Sequence, residues 1–327
     1  MKIKVAELFF FLDMGGVERN IVDIINFLPS SLFEKTVIIS HRSGLMRSQL
    51  HPDVQFVQLP DEDKMLTLIS LLQPFDICHI HTVNQNPFFA WSAALAGKPV
   101  ILNSIESTVY FPYSAHVDYT TCVAKHIYNM QSNLLDSQVI YNGTAVDSLP
   151  RSKSVDHGRL ILVEMHRPDK EMAASLVDLI PYIKSRHPEV EGWILGIEGQ
   201  STESLKYWGK VAEPNPYLRQ ADFLVHLPGH EAFSNALIEA MASGALPIVS
   251  NVGGNVEMVE QGRNGFILTL GQENNPKKVA AAISDILTRY KNSPELFSNI
   301  RNLAFQTVKQ KFNAVRMRQS YQELMIN

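Results

Sequence analysis

The residues best suited to chemistry lie between His226 and Leu268: Glu231, Glu239 eight positions later, and a glycine pair at Gly253 and Gly254. An apolar run from Phe223 to Leu227 reads as a strand that enters Pro228-Gly229, and a helix is predicted from about Ser234 to Ser243. A strand that feeds a helix through a tight loop is a ready anion site, because the first helical N–H groups have no partner inside the helix. One carboxylate in the loop and another in the helix add two acceptors suited to sugar hydroxyls. Phosphate donors beside hydroxyl acceptors suggest a nucleotide-sugar pocket. The plain alternative is an ordinary βαβ unit with two solvated acids.

Other constellations are weaker. Asp13-Met14-Gly15-Gly16 closes the first predicted strand and opens a helix at Val17. Two glycines there either let a phosphate approach the backbone closely or serve a tight turn with positive φ. The G-x-G-x-x-G fingerprint of a dinucleotide site is missing. In Glu164-Met165-His166-Arg167-Pro168-Asp169-Lys170, Arg167 and Lys170 follow a strand and could neutralise a diphosphate without a metal, or could lie in a solvated loop. His79 and His81 share one face of a strand, but no third ligand has suitable spacing, so packed or cleft-lining histidines are expected and no metal site. Asp61-Glu62-Asp63 mimics an acidic metal-binding triplet, yet it also precedes a helix, where acids favour the macrodipole. Ser104 has no evident His or Asp partner and Gly-x-Ser-x-Gly is absent, so a hydrolase triad has no support.

The elements that would position these residues alternate along the chain. Strands are predicted at Val5–Leu12, Thr36–Ser40, Val54–Leu59, Asp76–His81, Val100–Asn103, Tyr119–Ala124 and Gln138–Tyr141, with helices at Val17–Leu28, Met65–Gln73 and Pro87–Ala96. After a polar, turn-rich linker near 148–158 the pattern restarts, with strands at Leu160–Glu164, Gly192–Gly196, Phe223–Leu227 and Leu246–Ser250. Helices follow from near Lys170, Tyr217, Ser234 and Asn255, and a last helix covers Asn313–Ile326. Alternation of this kind predicts an α/β protein with parallel sheets covered by helices. The expected organisation is two Rossmann-like domains facing a central cleft. They are residues 1–150, residues 151–312, and a helix at 313–327 that packs back towards the first domain.

Composition narrows the classes. A chain of 327 residues suits two domains, and 45% hydrophobic with 19% charged residues is a globular balance. A net charge of −4 leaves no basic footprint for nucleic acid. Residues 1–150 carry 9 Lys and Arg against 14 Asp and Glu, and residues 151–327 carry 20 against 19, which disfavours a strongly cationic amino-terminal membrane patch. Cys78 and Cys122, the only cysteines, sit in apolar runs and read as buried thiols of a reducing compartment. The opening MKIKVAELFFFLDMGG reads as a first buried strand rather than a signal peptide, and no run approaches the roughly 20 residues that span a bilayer. A cytoplasmic protein is expected.

The second half resembles a known family. Glu231-Ala232-Phe233 through Glu239-Ala240-Met241-Ala242, then Gly244, Pro247, Gly253-Gly254, Glu257 and Gly262-Arg263-Asn264-Gly265-Phe266, is similar to the retaining glycosyltransferases of family 4, the glycosyl transferases group 1. Gly15-Gly16-Val17-Glu18-Arg19 and Asn142-Gly143 extend the resemblance. It implies the GT-B fold, a metal-independent retaining transfer from a nucleotide sugar (UDP-linked) to a glycan or lipid-linked acceptor, and no cofactor. It also allows weak association with the inner membrane face.

Residue by residue, the resemblance implies that Glu231 contacts the donor sugar's hydroxyls and Glu239 the ribose. Backbone amides of Phe233, Ser234 and Asn235 would meet the sugar or diphosphate, Lys170 the diphosphate, and Gly15 and Gly16 the same phosphates from the first domain. The chain departs from the family at Glu164-Met165, where Gly-Arg is usual and Arg167 is the candidate replacement. Glu171 and Ala232 stand where glycines are usual. Glu106, or Ser104 in a shifted register, stands where a first-domain histidine is usual. These departures keep two alternatives open: a nucleotide-sugar epimerase or phosphorylase on the same architecture, and a catalytically silent sugar-nucleotide-binding subunit.

Overall fold

A computed structural model describes the chain apart from residues 14, 85, 98–99, 109–115, 132–133, 135, 147–158, 167–170, 272–274 and 327. It divides into two compact units, Met1–Gly143 with Ala314–Asn327, and Thr144–Asn313. The division falls at Gly143, ahead of the polar stretch at 148–158 read as a linker, which lies outside the described residues.

The first unit runs β1 (Ile3–Phe9), α1 (Gly16–Phe27), β2 (Phe33–Ile39), β3 (Val54–Gln58), α2 (Lys64–Leu72), β4 (Ile77–Thr82), α3 (Phe88–Ala96), β5 (Val100–Ile105), β6 (Tyr119–Cys122), α4 (Lys125–Met130) and β7 (Ser137–Val139). The second runs β8 (Leu160–Met165), α5 (Leu176–Arg186), β9 (Val190–Leu195), β10 (Leu205–Tyr207), α6 (Asn215–Leu218), β11 (Phe223–His226), α7 (Asn235–Ser243), β12 (Leu246–Ser250), α8 (Asn255–Met258), β13 (Phe266–Leu268), α9 (Pro276–Asn292) and α10 (Pro294–Lys311). The last helix, α11 (Ala314–Ile326), belongs to the first unit.

Each unit holds one parallel sheet. The seven-stranded sheet is ordered β3-β2-β1-β4-β5-β6-β7 and the six-stranded sheet β10-β9-β8-β11-β12-β13. In both, the chain moves outward from a central strand, then returns to lay the next strand on its other side, at β1/β4 and at β8/β11. Ligands of open α/β sheets bind at the carboxyl ends of the strands beside such a reversal. Composition suits the strands to their central positions: Val37-Ile38-Ile39 in β2 and Phe223-Leu224-Val225 in β11 are buried throughout, as parallel strands covered on both faces must be.

Helix starts follow local chemistry. Ser175, Ser234 and Asn275 each cap a helix by accepting a backbone N–H, from Val177, Leu237 and Lys277 respectively. The helix predicted from near Lys170 therefore begins at Leu176, behind its Ser175 cap, and the one predicted near Tyr217 is a single turn that begins at Asn215. β10 and β13 are three residues each, too short to show a period in sequence. Asp61-Glu62-Asp63 lies exposed ahead of α2, with Asp63 at its N-cap in the left-handed region (φ 50). Both cysteines are free and buried, and burial pushes their pKa values up. Among the described residues no helix is long and apolar enough to cross a membrane.

α11 closes the first unit through polar as well as apolar contacts. The Tyr321 hydroxyl lies 3.0 Å from Ser104 Oγ and 3.2 Å from Thr121 Oγ1, and Arg318 Nη2 donates to Asp23 Oδ1 of α1 at 3.0 Å. Tyr321 is fully buried. We expect Tyr321→Phe to cost about 1 kcal/mol, the net worth of a typical buried hydrogen bond, and Tyr321→Ala about 3–5 kcal/mol through the cavity it leaves. Urea unfolding of the two variants against the parent checks the ranking.

Candidate functional site

In the second unit, β11 ends in His226 and the chain turns through Leu227-Pro228-Gly229 before α7 begins. The loop is fixed on three sides. Ala173 N donates to Leu227 O at 2.9 Å, Ser250 Oγ donates to Pro228 O at 2.8 Å, and Gly254 N donates to Glu231 O at 3.1 Å. The third contact explains half of the glycine pair: a Cβ on Gly254 would overlap the Ala232 carbonyl oxygen. Gly253 serves the other half, with a left-handed φ of 43°.

Within that frame Glu231 is buried and its Oε2 lies 2.9 Å from His226 Nε2, while Ser234 Oγ lies 3.1 Å from the same nitrogen. An ionised carboxylate can only accept, so Nε2 carries the proton and His226 aims Glu231. Ser234 also accepts Leu237 N at 3.2 Å, which ties the orientation of Glu231 to the start of α7. Glu239 is buried one turn further along, on the same helix face as Asn235. The structure thus brings Glu231, Phe233, Ser234, Asn235 and Glu239 to one helix N-terminus, whose dipole and leading N–H groups favour an anion. His226 has no assigned role in the sequence reading; a histidine at the last position of a strand, before Pro-Gly, is its only local signal.

The neighbouring helix start is already filled. Glu164, fully buried at the end of β8, accepts Leu176 N and the Ser175 hydroxyl, the latter at 3.0 Å, and lies 3.1 Å from His166 Nδ1. The Glu164 carboxylate raises the His166 pKa. The chain's own carboxylate so occupies the amino end of α5. Arg167 and Lys170 lie outside the described residues.

In the first unit Gly15 caps α1 with an extended φ of −173°, and neither Gly15 nor Gly16 has positive φ, so the turn does not require glycine for its dihedrals. A Cβ on Gly15 would meet only the carboxylate end of the Glu18 side chain, which can swing aside, so space does not demand glycine there either. Glu106 follows β5 with its side chain 1% exposed; Oε1 lies 3.0 Å from His81 Nδ1 and Oε2 accepts Asn20 Nδ2 of α1 at 3.5 Å. Its carboxylate faces inward, so it holds α1 and His81 rather than meeting solvent. Ser104 corrects another expectation. His79 Nε2 lies 2.7 Å from Ser104 Oγ and His79 Nδ1 lies 2.9 Å from Glu7 Oε2, so the partners exist. They are invisible in sequence because Glu7 comes from β1, which pairs with β4. All three are sealed from solvent, so the serine cannot meet a substrate.

A second side of the same cluster is His81, whose Nε2 lies 2.7 Å from Glu7 Oε2. Burial works against charge here, but the carboxylates of Glu106 and Glu7 raise the His81 pKa to about 9. Burial likewise opposes ionisation of Glu7, and His79 and His81 overcome it to hold that carboxyl at about 2. For His79 burial wins and its pKa is lowered.

The geometry at α7 coincides with a family match. Residues 159–289 match the model for glycosyl transferases group 1. The chain is 27% identical over 202 residues to an uncharacterized glycosyltransferase of Methanocaldococcus jannaschii, covering 58% of this chain and 55% of that protein. It is 24% identical over 242 residues to the phosphatidyl-myo-inositol mannosyltransferase of Mycobacterium tuberculosis, covering 64% and 63%. The chain therefore spans less than two thirds of the length of these relatives. Among solved structures, a glycosyltransferase from Rickettsia africae superposes with a TM-score of 0.80 at 16% identity, over 99% of this chain and 98% of that one. Anabaena HepE in complex with UDP and glucose gives 0.79 at 16% identity, over 99% of both chains. The fold is GT-B, two Rossmann-like units with parallel sheets.

The contact at Gly254 can be tested on its own. Gly254→Ala is expected to cost about 1–3 kcal/mol, as an overpacked interior site does, because the Ala232 carbonyl has nowhere to move. Gly229→Ala, where a Cβ meets nothing within 4 Å, is expected to stay within about 0.5 kcal/mol of the parent. Denaturant midpoints of the two variants check the difference.

Proposed function

We propose that this chain, whose residues 159–289 match the model for glycosyl transferases group 1, is a retaining, metal-independent glycosyltransferase that moves a sugar from a UDP-linked donor to a glycan or lipid-linked acceptor. The observation that carries the reading is the start of α7, where a carboxylate aimed by His226 stands beside helix-leading amides and Glu239. That set supplies donors for a diphosphate and acceptors for sugar and ribose hydroxyls. Anabaena HepE, a structural neighbour solved with UDP and glucose, supports uracil as the donor's base. The mycobacterial relative, a phosphatidyl-myo-inositol mannosyltransferase, supports a lipid-linked acceptor, which would bring the protein to a membrane surface.

In this reading Glu231 orients the donor sugar, Glu239 the ribose, and the amides of Phe233, Ser234 and Asn235 take the diphosphate. Gly15 and Gly16 contribute from the first unit, which serves the acceptor side. The acceptor oxygen attacks the anomeric carbon on the face from which the diphosphate leaves. The bond from that carbon to the phosphate oxygen breaks, the new glycosidic bond forms, and the acceptor's proton passes to the departing diphosphate. Configuration is retained without a protein nucleophile, and the protein's task is to stabilise charge growing on the diphosphate. Glu106 is assigned a supporting role, since its carboxylate is sealed. The same sealing favours a second reading, a catalytically silent subunit that binds the nucleotide sugar.

The test is turnover of a panel of UDP-sugars with glycan and lipid-linked acceptors, in EDTA, with the product's anomeric configuration read by NMR. Transfer with retention is expected to persist in EDTA. Lys170→Ala and Arg167→Ala are each expected to lower kcat by about 10²–10³-fold, the usual cost of losing one charge-stabilising donor, with the unfolding midpoint unchanged. Parent-like turnover by both variants overturns their assignment, and donor binding by calorimetry without turnover selects the silent subunit.

A further inference from the structure

The polar cluster inside the first unit has the geometry of a cation site that the transferase reading does not use. Glu7 on β1 pairs in register with His79 on β4, and His81 follows two residues later on the same face. All three side chains have zero exposure. The inward ring nitrogens converge on one carboxylate: His79 Nδ1 lies 2.9 Å and His81 Nε2 2.7 Å from Glu7 Oε2, and the candidate ligand atoms all fall within 4.8 Å of one another. Glu7 Oε1 has no hydrogen-bond partner, and His79 Nδ1 faces Glu7 Oε2 outside hydrogen-bond geometry. Buried polar atoms almost always have partners, so two such atoms in one sealed cluster call for an explanation.

The outward sides of both rings are held as a metal site requires. His79 Nε2 lies 2.7 Å from the Ser104 hydroxyl, itself fixed by Thr121 and Tyr321, and His81 Nδ1 lies 3.0 Å from Glu106 Oε1. A ligating histidine ordinarily donates its second N–H to a carboxylate or another oxygen, which sets the tautomer that leaves the other nitrogen bare. We propose that Glu7, His79 and His81 form a closed structural site for one divalent transition metal, zinc by donor set, with Glu106 and Ser104 as the outer supports of the two imidazoles.

Two histidines and a carboxylate are a known zinc set, and Glu7 Oε1 can supply a fourth position by bidentate ligation. With bonds of about 2.0–2.2 Å, tetrahedral ligand atoms stand about 3.3 Å apart, so the three groups must each ease outward by roughly half an ångström. The cation would also offset two buried carboxylates, whose charge is otherwise met by an imidazolium. The site has no face open to solvent, so it takes no part in sugar transfer and stands or falls independently of that reading.

The test is metal analysis of the full-length protein, expressed with zinc, dialysed against EDTA and assayed by plasma mass spectrometry. About one equivalent per chain is expected, since a sealed ion leaves only with unfolding; less than about a tenth overturns the site. His79→Ala is expected to lose the metal, and a variant that folds and keeps it overturns the assignment. Should that variant not fold, zinc-edge absorption of the parent decides: nitrogen and oxygen ligands including imidazole support the site, and any sulfur ligand, as Cys78 would give, contradicts it.

Discussion

One close approach fixes the loop ahead of α7: Gly254 lies against the Ala232 carbonyl with no room for a side chain, and its N–H holds the Glu231 carbonyl at 3.1 Å. Move that contact and the loop from Glu231 to Phe233 shifts, and with it the cap at Ser234, the first turn of α7, and the histidine-aimed carboxylate. Helix-terminal amides bind an anion only from a settled position, so rigidity here is what makes the dipole useful. The parallel order of the sheet then delivers the loop to the carboxyl ends of β8 and β11, beside the reversal in strand order.

Two of the helices that begin at that end of the second sheet, α5 and α7, are treated differently by the chain. α5 is satisfied by Glu164 from within, whereas α7 is capped by a neutral serine and flanked by carboxylates that can accept from hydroxyls. A buried anion thus stands at one helix start and a neutral cap with polar acceptors at the next. In the first unit the same end of the sheet is used inwardly. Glu7, His79, His81, Ser104 and Thr121 form a polar stripe across β1, β4, β5 and β6, which Asn20 of α1 and Tyr321 of α11 cover. The last helix thus completes the unit with which the chain begins.

What could be read from the sequence was what is local. Strand and helix alternation pointed to the two parallel sheets, because a run such as Val37-Ile38-Ile39 carries its own burial. The spacing of Glu231 and Glu239 and the glycine pair marked the α7 site. What stayed hidden is what depends on register between distant strands. His79 and His81 gain Glu7 only because β1 lies beside β4, so a third ligand seemed absent, and Ser104 seemed partnerless for the same reason. Glu106 looked like a residue facing substrate because a position in a family pattern says nothing of which way a carboxylate turns; here it turns to His81. Glu164 stood only as a departure from the family's glycine, and only the fold reveals it as the acceptor that holds the start of α5.

The central claim is that the start of α7, rather than that of α5, is the main seat of the diphosphate. Backbone amide shifts on titration with UDP test it most directly, since an anion at a helix start moves the amides it touches. The expected result is saturable shifts that are largest at Phe233, Ser234 and Asn235 and vanish in Gly254→Ala. Shifts centred on Leu176 and Val177, or confined to the first unit, would contradict the account.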